Sequence, residues 1–239
     1  REALRLTGIE SGVEITTIAD IPGQGTGLGS SSSVTVGLLN AMHAFQGREV
    51  SKEQLAEEAC QIEIDTLGAP IGRQDQYAAS FGGVNSIRFG ENGVQVEPIE
   101  VSEGLSKKLS ESFTLVFTGL TRSASKVLSE QSDDESDKNS RMREIRKHAD
   151  EAASHIENGD LDSLGAILNQ TWKSKRGVSS MVTNTQIDDL YERVISSGAL
   201  GAKLLGAGNG GFLLVCGNRQ LRGILQRELG EGHRMFPLE

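Results

Sequence analysis

Two carboxylates stand out in this chain by where their neighbours put them. Glu63 follows Ala59 by four residues and Cys60 by three, and precedes Leu67 by four. Helical spacing therefore aims it at an apolar face, while Glu57 and Glu58 can point to solvent. An inward carboxylate needs a partner. A magnesium ion would serve, since carboxylate and hydroxyl oxygens are the hard ligands it prefers; a salt bridge or a rim position would serve equally well. Asp75 lies in "GRQDQYAASFGG" among Arg73, Gln74 and Gln76, ahead of the pair Gly82 and Gly83. A carboxylate in such a polar turn can orient a hydroxyl nucleophile and accept its proton, or simply close an Asx-turn.

A third feature supplies the complementary charge. In "IPGQGTGLGSSSS", Gly25, Gly27, Leu28 and Gly29 lead into Ser30, Ser31, Ser32 and Ser33, just before a run with helical periodicity. Backbone amides at a helix start have no intrahelical partner and sit at the positive end of the helix dipole, a recipe for holding phosphate. No lysine follows in the Walker A position, and the spacing of a dinucleotide-binding G-x-G-x-x-G loop is absent. A tight connection without a ligand is the alternative. "GAGNGG" at Gly206–Gly211 is a second such loop, readable also as a hairpin turn. Arg73, Arg88 and Arg122 are candidate phosphate contacts, and so are Lys173, Lys175 and Arg176, although for these three a solvated helix face is the better expectation. The four histidines have no metal-ligand spacing, Trp172 is expected to pack, and the serine run lacks a G-x-S-x-G elbow.

Elements able to position these residues are legible in the pattern. Gly12–Pro22 reads as a strand entering the first glycine loop. Val34, Leu38, Met42 and Phe45 then recur at helical spacing, and Ser51 with Gln54 forms a capping-box pattern opening a helix that Gly68 ends. A strand is expected near Val84–Phe89. The polar "SEGLSKKLSES" separates it from a second strand at Phe113–Thr121, and a domain boundary there gives an amino-terminal lobe of residues 1–110 and a carboxyl-terminal lobe of 111–239. "EQSDDESDKNS" reads as a solvated loop. Three helices fill residues 141–195, and "SGALGAKLLGAGNGGFLLVCG" reads as strand, glycine turn, strand.

Composition narrows the function classes. The 239 residues carry 24 Lys and Arg against 33 Asp and Glu, a formal charge of −9, which argues against nucleic acid as a partner. No apolar run approaches the ~20 residues needed to span a bilayer, so no membrane partner is expected. Two distant cysteines favour a reducing, cytoplasmic setting. An anionic small-molecule substrate must then be met by local donors.

Taken together, "PGQGTGLGSSSS", "EIDTLGAPIGRQDQ" and "GAKLLGAGNGG" resemble, in order and separation, the phosphate loop, catalytic segment and carboxyl-terminal glycine loop of the GHMP small-molecule kinases. "GRQDQYAASFGGVN" with "FTGLTRSAS" looks most like the branch acting on D-glycero-D-manno-heptose 7-phosphate at its anomeric hydroxyl; a fucose-type or other hexose 1-kinase is the runner-up. A nucleotide- and sugar-binding sensor without turnover is the alternative of another class. The resemblance implies an α+β fold of two lobes, the first like ribosomal protein S5 and the second ferredoxin-like. It also implies ATP and Mg²⁺ as cofactors and a sugar or sugar phosphate as substrate. Carried over, Gly25, Gly27, Leu28, Gly29, Ser30, Ser31 and Ser32 would wrap the ATP phosphates, Ser31 and Glu63 would hold Mg²⁺, and Asp75 would be the catalytic carboxylate. Arg73, Gln76, Gly82, Gly83, Arg122, Gly208 and Gly210 would line the substrate. Two departures accompany the match. Pro22 stands five residues before Gly27, one more than the family pattern, so a bulge at residues 23–25 is expected. No counterpart of the family's first motif precedes Arg1, so the first strands are expected to be missing.

Overall fold

A computed structural model describes residues 1–19, 25–121 and 135–238. The chain divides into two compact units. The first comprises Arg1–Gln24 and Gly29–Val96, the second Gly25–Leu28 and Glu97–Glu239.

The first unit is mainly helical: α1 (Glu2–Thr7), α2 (Ser30–Phe45), α3 (Lys52–Cys60) and α4 (Gln74–Phe81), with strand β1 (Asn85–Gly90) paired to β2 (Gly93–Pro98). Ser51 caps α3 as its sequence promises, its hydroxyl accepting from the Gln54 amide at 3.1 Å. That helix continues without a break into a π-helical turn at Gln61–Thr66 and stops before Gly68, whose φ of +65° suits glycine. Ala3, Val36, Leu39, Met42, Leu55, Ala59 and Ile62 form the core of this unit.

Two expectations fail here, one of them in part. The segment 12–19 forms no strand and is exposed throughout, because nothing among the described residues pairs with it and an extended segment without a partner leaves its backbone to water. The expected face of α2 also holds only in part: Met42 is buried and Leu38 packs against the core, as expected. Ser32, Val36, Leu39 and His43 face inward, whereas Val34 and Phe45 are exposed. Packing of α2 against α3 and α4 sets that face, and the polar members Ser32 and His43 hid it from a purely apolar count.

The second unit is a four-stranded antiparallel sheet with helices. Its elements are α5 (Glu103–Ser112), β3 (Phe113–Phe117), α6 (Glu135–Asn158), α7 (Leu161–Arg176), α8 (Thr185–Ser196), β4 (Gly201–Leu204), β5 (Phe212–Cys216), α9 (Leu221–Leu229) and β6 (Met235–Pro237). The strand order is β4-β5-β3-β6, with Val116 opposite both Leu213 and Met235. Trp172, Ile187, Tyr191, Leu204, Leu213 and Leu225 build the main core, and Trp172 packs there with no exposure, as expected. The polar stretch "SEGLSKKLSES" is no spacer: Ser102 caps α5, which buries Leu109. Likewise residues 135–140 of the charged tract belong to α6 rather than to a loop, because an Asp137–Arg141 pair at helical spacing supports the turn. Residues 130–134 of that tract lie outside the described residues. Both cysteines are free and buried, and no described helix is long and apolar enough to cross a membrane.

Helix α7 approaches β4 at bare backbone. A Cβ added to Gly201 would lie 1.9 Å from the Gly165 carbonyl oxygen. Gly201→Ala should therefore destabilise the protein by about 3 kcal/mol, the upper range for overpacking, in urea unfolding; an unchanged midpoint would contradict this packing.

Candidate active site

The first unit gathers a polar cluster around Glu63, which is 3% exposed. Ser31 Oγ donates to Oε1 at 2.6 Å, and Ser32 Oγ and Gln76 Nε2 donate to Oε2 at 2.7 and 2.6 Å. Thr35 Oγ1 adds a longer bond to Oε1 at 3.3 Å. Four donors on one carboxylate match its acceptor capacity and offset the cost of burying its charge. Helix α2 supplies three of them from consecutive turns, α4 supplies the fourth, and the π-helical turn supplies the acceptor. Extra residues of this kind inside helices are frequent at functional sites.

Ser31 and Glu63, expected to meet, do so. Ser32, expected on phosphate, turns its hydroxyl inward instead, which leaves its amide as the group available to an anion. Gly29 caps α2 in the left-handed region at φ +67°, and no side chain caps the helix start. The amides of the first helical turn have no intrahelical partner.

Asp75 lies in the first turn of α4 rather than in an irregular turn. A Cβ on Gly29 would stand 3.3 Å from the Cβ of Asp75, so the loop's last glycine and this carboxylate are immediate neighbours. Partial desolvation, with the Glu63 charge second, holds the Asp75 carboxyl above its ordinary range. Asp75 itself is exposed. Gln76 is fully buried with its amide committed to Glu63, and its Oε1 is without a partner. Its position is thus beneath the acid rather than at a surface. Arg73 is half-exposed and reaches Glu57 at 3.4 Å; Gly82 and Gly83 follow α4, both exposed with positive φ. Arg88 lies exposed on β1. Arg122 and residues 20–24, with most of the expected bulge, lie outside the described residues.

The other part of the glycine loop, Gly25–Leu28, is built into the second unit. Phe212 N donates to the Thr26 carbonyl at 3.2 Å, and a Cβ on Gly206 would come within 2.5 Å of Gly27 Cα. Two backbones this close exclude any side chain. Gly208 and Gly210 are also enclosed by backbone, Gly208 by the carbonyl of Val182 and Gly210 by that of Leu120. Within the same unit, the cationic end of α7 is not the solvated face its sequence suggests. Lys173 is exposed and Arg176 pairs with Asp188 at 3.2 Å, but Lys175 turns in to the carbonyls of Leu204 and Gly206. A run of positive charge conceals this, because burial of the Lys175 stem depends on the glycine loop alongside it.

Among the described residues no cluster of three His, Cys, Asp or Glu could hold a metal. The oxygens of Glu63 and Ser31 are a donor set of the kind Mg²⁺ accepts when a substrate's phosphates and water complete its shell, so the residues present fit that ion.

Comparisons with known proteins converge on one family. A model described as "GHMP kinases N terminal domain" matches residues 1–83, and "GHMP kinases C terminal" matches residues 152–232. D-glycero-alpha-D-manno-heptose 7-phosphate kinase of Campylobacter jejuni is 34% identical over 200 residues, covering 82% of this chain and 59% of the relative. The bifunctional fucokinase/GDP-fucose pyrophosphorylase of Arabidopsis thaliana is 29% identical over 260 residues, 100% of this chain and 24% of the relative. A solved D-glycero-D-manno-heptose 1-phosphate kinase from Bacteroides thetaiotaomicron superposes with a TM-score of 0.72 at 24% identity, over 91% of this chain and 61% of that one. The chain thus spans about three fifths of the heptose kinase relative's length, 59%.

The buried and accessible members of the Glu63 cluster should differ in energy. Ser32→Ala, which removes one of two donors from a buried charged oxygen that water does not reach, leaving only Gln76, should cost about 2 kcal/mol in urea unfolding, and Ser31→Ala, where water can take over, less than about 1 kcal/mol. Equal losses would mean the two serines are not distinguished by burial.

Proposed function

Because the chain belongs to the GHMP kinases, with both of that family's domains matched, we propose that it carries the phosphate-transfer site of an ATP-dependent sugar kinase. The proposed acceptor is the anomeric hydroxyl of D-glycero-D-manno-heptose 7-phosphate. The observation that supports the reading most is Ser31 Oγ at 2.6 Å from Glu63 Oε1, in the opening turn of a helix preceded by a glycine loop. The substrate is suggested by the 34% identical heptose kinase of Campylobacter jejuni. The 29% identity of the Arabidopsis fucokinase over this whole chain favours a second reading, a hexose 1-kinase.

In this proposal the amides of Gly25, Gly27, Leu28, Gly29 and Ser30–Ser32 receive the nucleotide's phosphates. Ser31 and Glu63 hold Mg²⁺, which when bound neutralises phosphate charge as the γ-phosphoryl group moves. Gln76 acts through Glu63, holding its carboxylate in place, rather than on the sugar. Asp75 orients the sugar hydroxyl and takes its proton as that oxygen bonds to the γ-phosphorus and the bond to the bridging oxygen breaks, releasing ADP. Raising the pKa of Asp75 makes it a better proton acceptor, provided the solution is basic enough to keep it ionised. Gly82, Gly83, Gly208 and Gly210 contribute backbone to the sugar's surroundings, and Arg73 and Arg122 remain candidates for its phosphate.

Two measurements follow. Asp75→Asn should lower turnover by about 10²–10⁴-fold while nucleotide affinity stays within about twofold; a sensor without turnover would be indifferent. The wild-type rate should fall as pH drops through the raised pKa of Asp75, placing the acid limb above the ordinary carboxylate range, and a limb at or below that range would remove Asp75 as the base. An ADP-release assay comparing heptose 7-phosphate with fucose and galactose decides the substrate.

A further inference from the structure

The carboxyl-terminal glycine loop, Gly206–Gly211, keeps one residue in a conformation that glycine would adopt at no cost. Asn209 has φ +55°, and among the described residues it is the only non-glycine with a positive φ. Asparagine tolerates the left-handed region better than other residues with a Cβ, yet residues held there gather at binding and catalytic sites. Four of the loop's six residues are glycine already, so a side chain at this position has a use.

Both the backbone and the side chain of Asn209 are held by the segment that joins α7 to α8. Asn209 N donates to the Val182 carbonyl at 2.6 Å, and Asn209 Oδ1 accepts from Asn184 Nδ2. Asn184 is also the N-cap of α8, where its Oδ1 accepts from the Ile187 amide at 3.1 Å. That bond settles the orientation of the amide and turns its NH₂ end to Asn209. The capping segment is itself braced. Thr183 Oγ1 donates to Asp188 Oδ1 at 2.7 Å, Arg176 reaches the same oxygen at 3.2 Å, and Val182 is buried in the core. Capping uses only the Oδ1 of Asn184, so its Nδ2 serves the loop alone. On either side of Asn209, Gly208 lies against the Val182 carbonyl and Gly210 against that of Leu120.

We propose that Asn184 is a positioning residue of the transfer site: acting through Asn209, it fixes the left-handed turn that presents the backbone of Gly208–Gly210 to the sugar. The role of that backbone rests on the kinase reading; the pinning of the loop does not.

Two substitutions separate the pin from the cap. Asn184→Ser keeps an oxygen for the Ile187 amide but is too short to reach Asn209. Asn184→Asp also keeps the cap, and the Asn209 amide can turn its NH₂ to the new carboxylate, which restores the bond with donor and acceptor exchanged. Hydrogen exchange read by mass spectrometry follows the loop without reference to activity. In Asn184→Ser, peptides covering residues 205–212 should exchange about fivefold faster while those within residues 187–196 stay within about twofold, and Asn184→Asp should return the loop to the wild-type rate. With whichever sugar the wild type phosphorylates, Asn184→Ser should raise the KM for the sugar about fivefold, leave the KM for ATP within about twofold and leave the urea midpoint unchanged, and Asn184→Asp should restore the sugar KM. Loop exchange that Asn184→Ser does not alter, or an equal increase within α8, overturns the proposal. So does a loosened loop with an unchanged sugar KM, or a KM for ATP that rises as much as that for the sugar. A wild-type protein that phosphorylates no sugar, while Asn184→Ser loosens the loop as expected, would refute the kinase reading and keep the pin.

Discussion

A carboxylate closed off from water must be matched by donors, and much of the first unit is arranged to supply them to Glu63. Ser31, Ser32 and Thr35 come from the start of α2, and Gln76 comes from the start of α4. Each bond ties one element to the π-helical turn, so the acid acts as the common anchor of three helical segments. Hydrogen bonds to a charged group contribute roughly 1.5–3 kcal/mol each, enough for the cluster to fix the register of α2 and α4 on the turn. The same geometry leaves Ser31 as the accessible member, with Asp75 one residue before buried Gln76 and against Gly29.

Backbone proximity plays the corresponding part in the second unit. Gly27 and Gly206 meet without side chains, Gly208 and Gly210 lie under carbonyls, and Gly201 lets α7 down onto β4. Small residues at these positions keep a loop close to a sheet edge while leaving peptide groups uncovered. Lys175 adds a cation to the same neighbourhood by donating to the carbonyls of Leu204 and Gly206. One unit thus offers a carboxylate with its hydroxyls, and the other offers glycine backbone and an ammonium group.

The sequence made some of this legible for definite reasons. Glu63 was readable because helical spacing survives the change from α to π geometry over so short a turn. The Ser51 cap and the strand–glycine–strand pattern of 201–216 were readable because they rest on local rules. What escaped was decided at a distance. The inward face of α2 includes Ser32 and His43, whose burial depends on Glu63 and on a Glu58 carboxylate 2.7 Å from the His43 ring. Gln76 was expected to line the substrate, because nothing local marks it as the partner of a carboxylate thirteen residues earlier. Segment 12–19 has the alternation of a strand, but pairing is a property of two segments and no described neighbour supplies the second. Lys175 resembled its solvated neighbours because charge runs carry no mark of which member a neighbouring loop will cover.

The central claim is that Glu63 with Ser31 forms a magnesium-dependent phosphate site. The most direct measurement is calorimetric titration with a non-hydrolysable ATP analogue, with and without Mg²⁺, on the wild type and on Glu63→Gln, which keeps the side chain's shape and whose folded state is verified by circular dichroism. The account predicts that Mg²⁺ tightens binding to the wild type by about tenfold or more and has little effect on the variant. Equal enhancement by Mg²⁺ in both proteins, or none in the wild type, would contradict it.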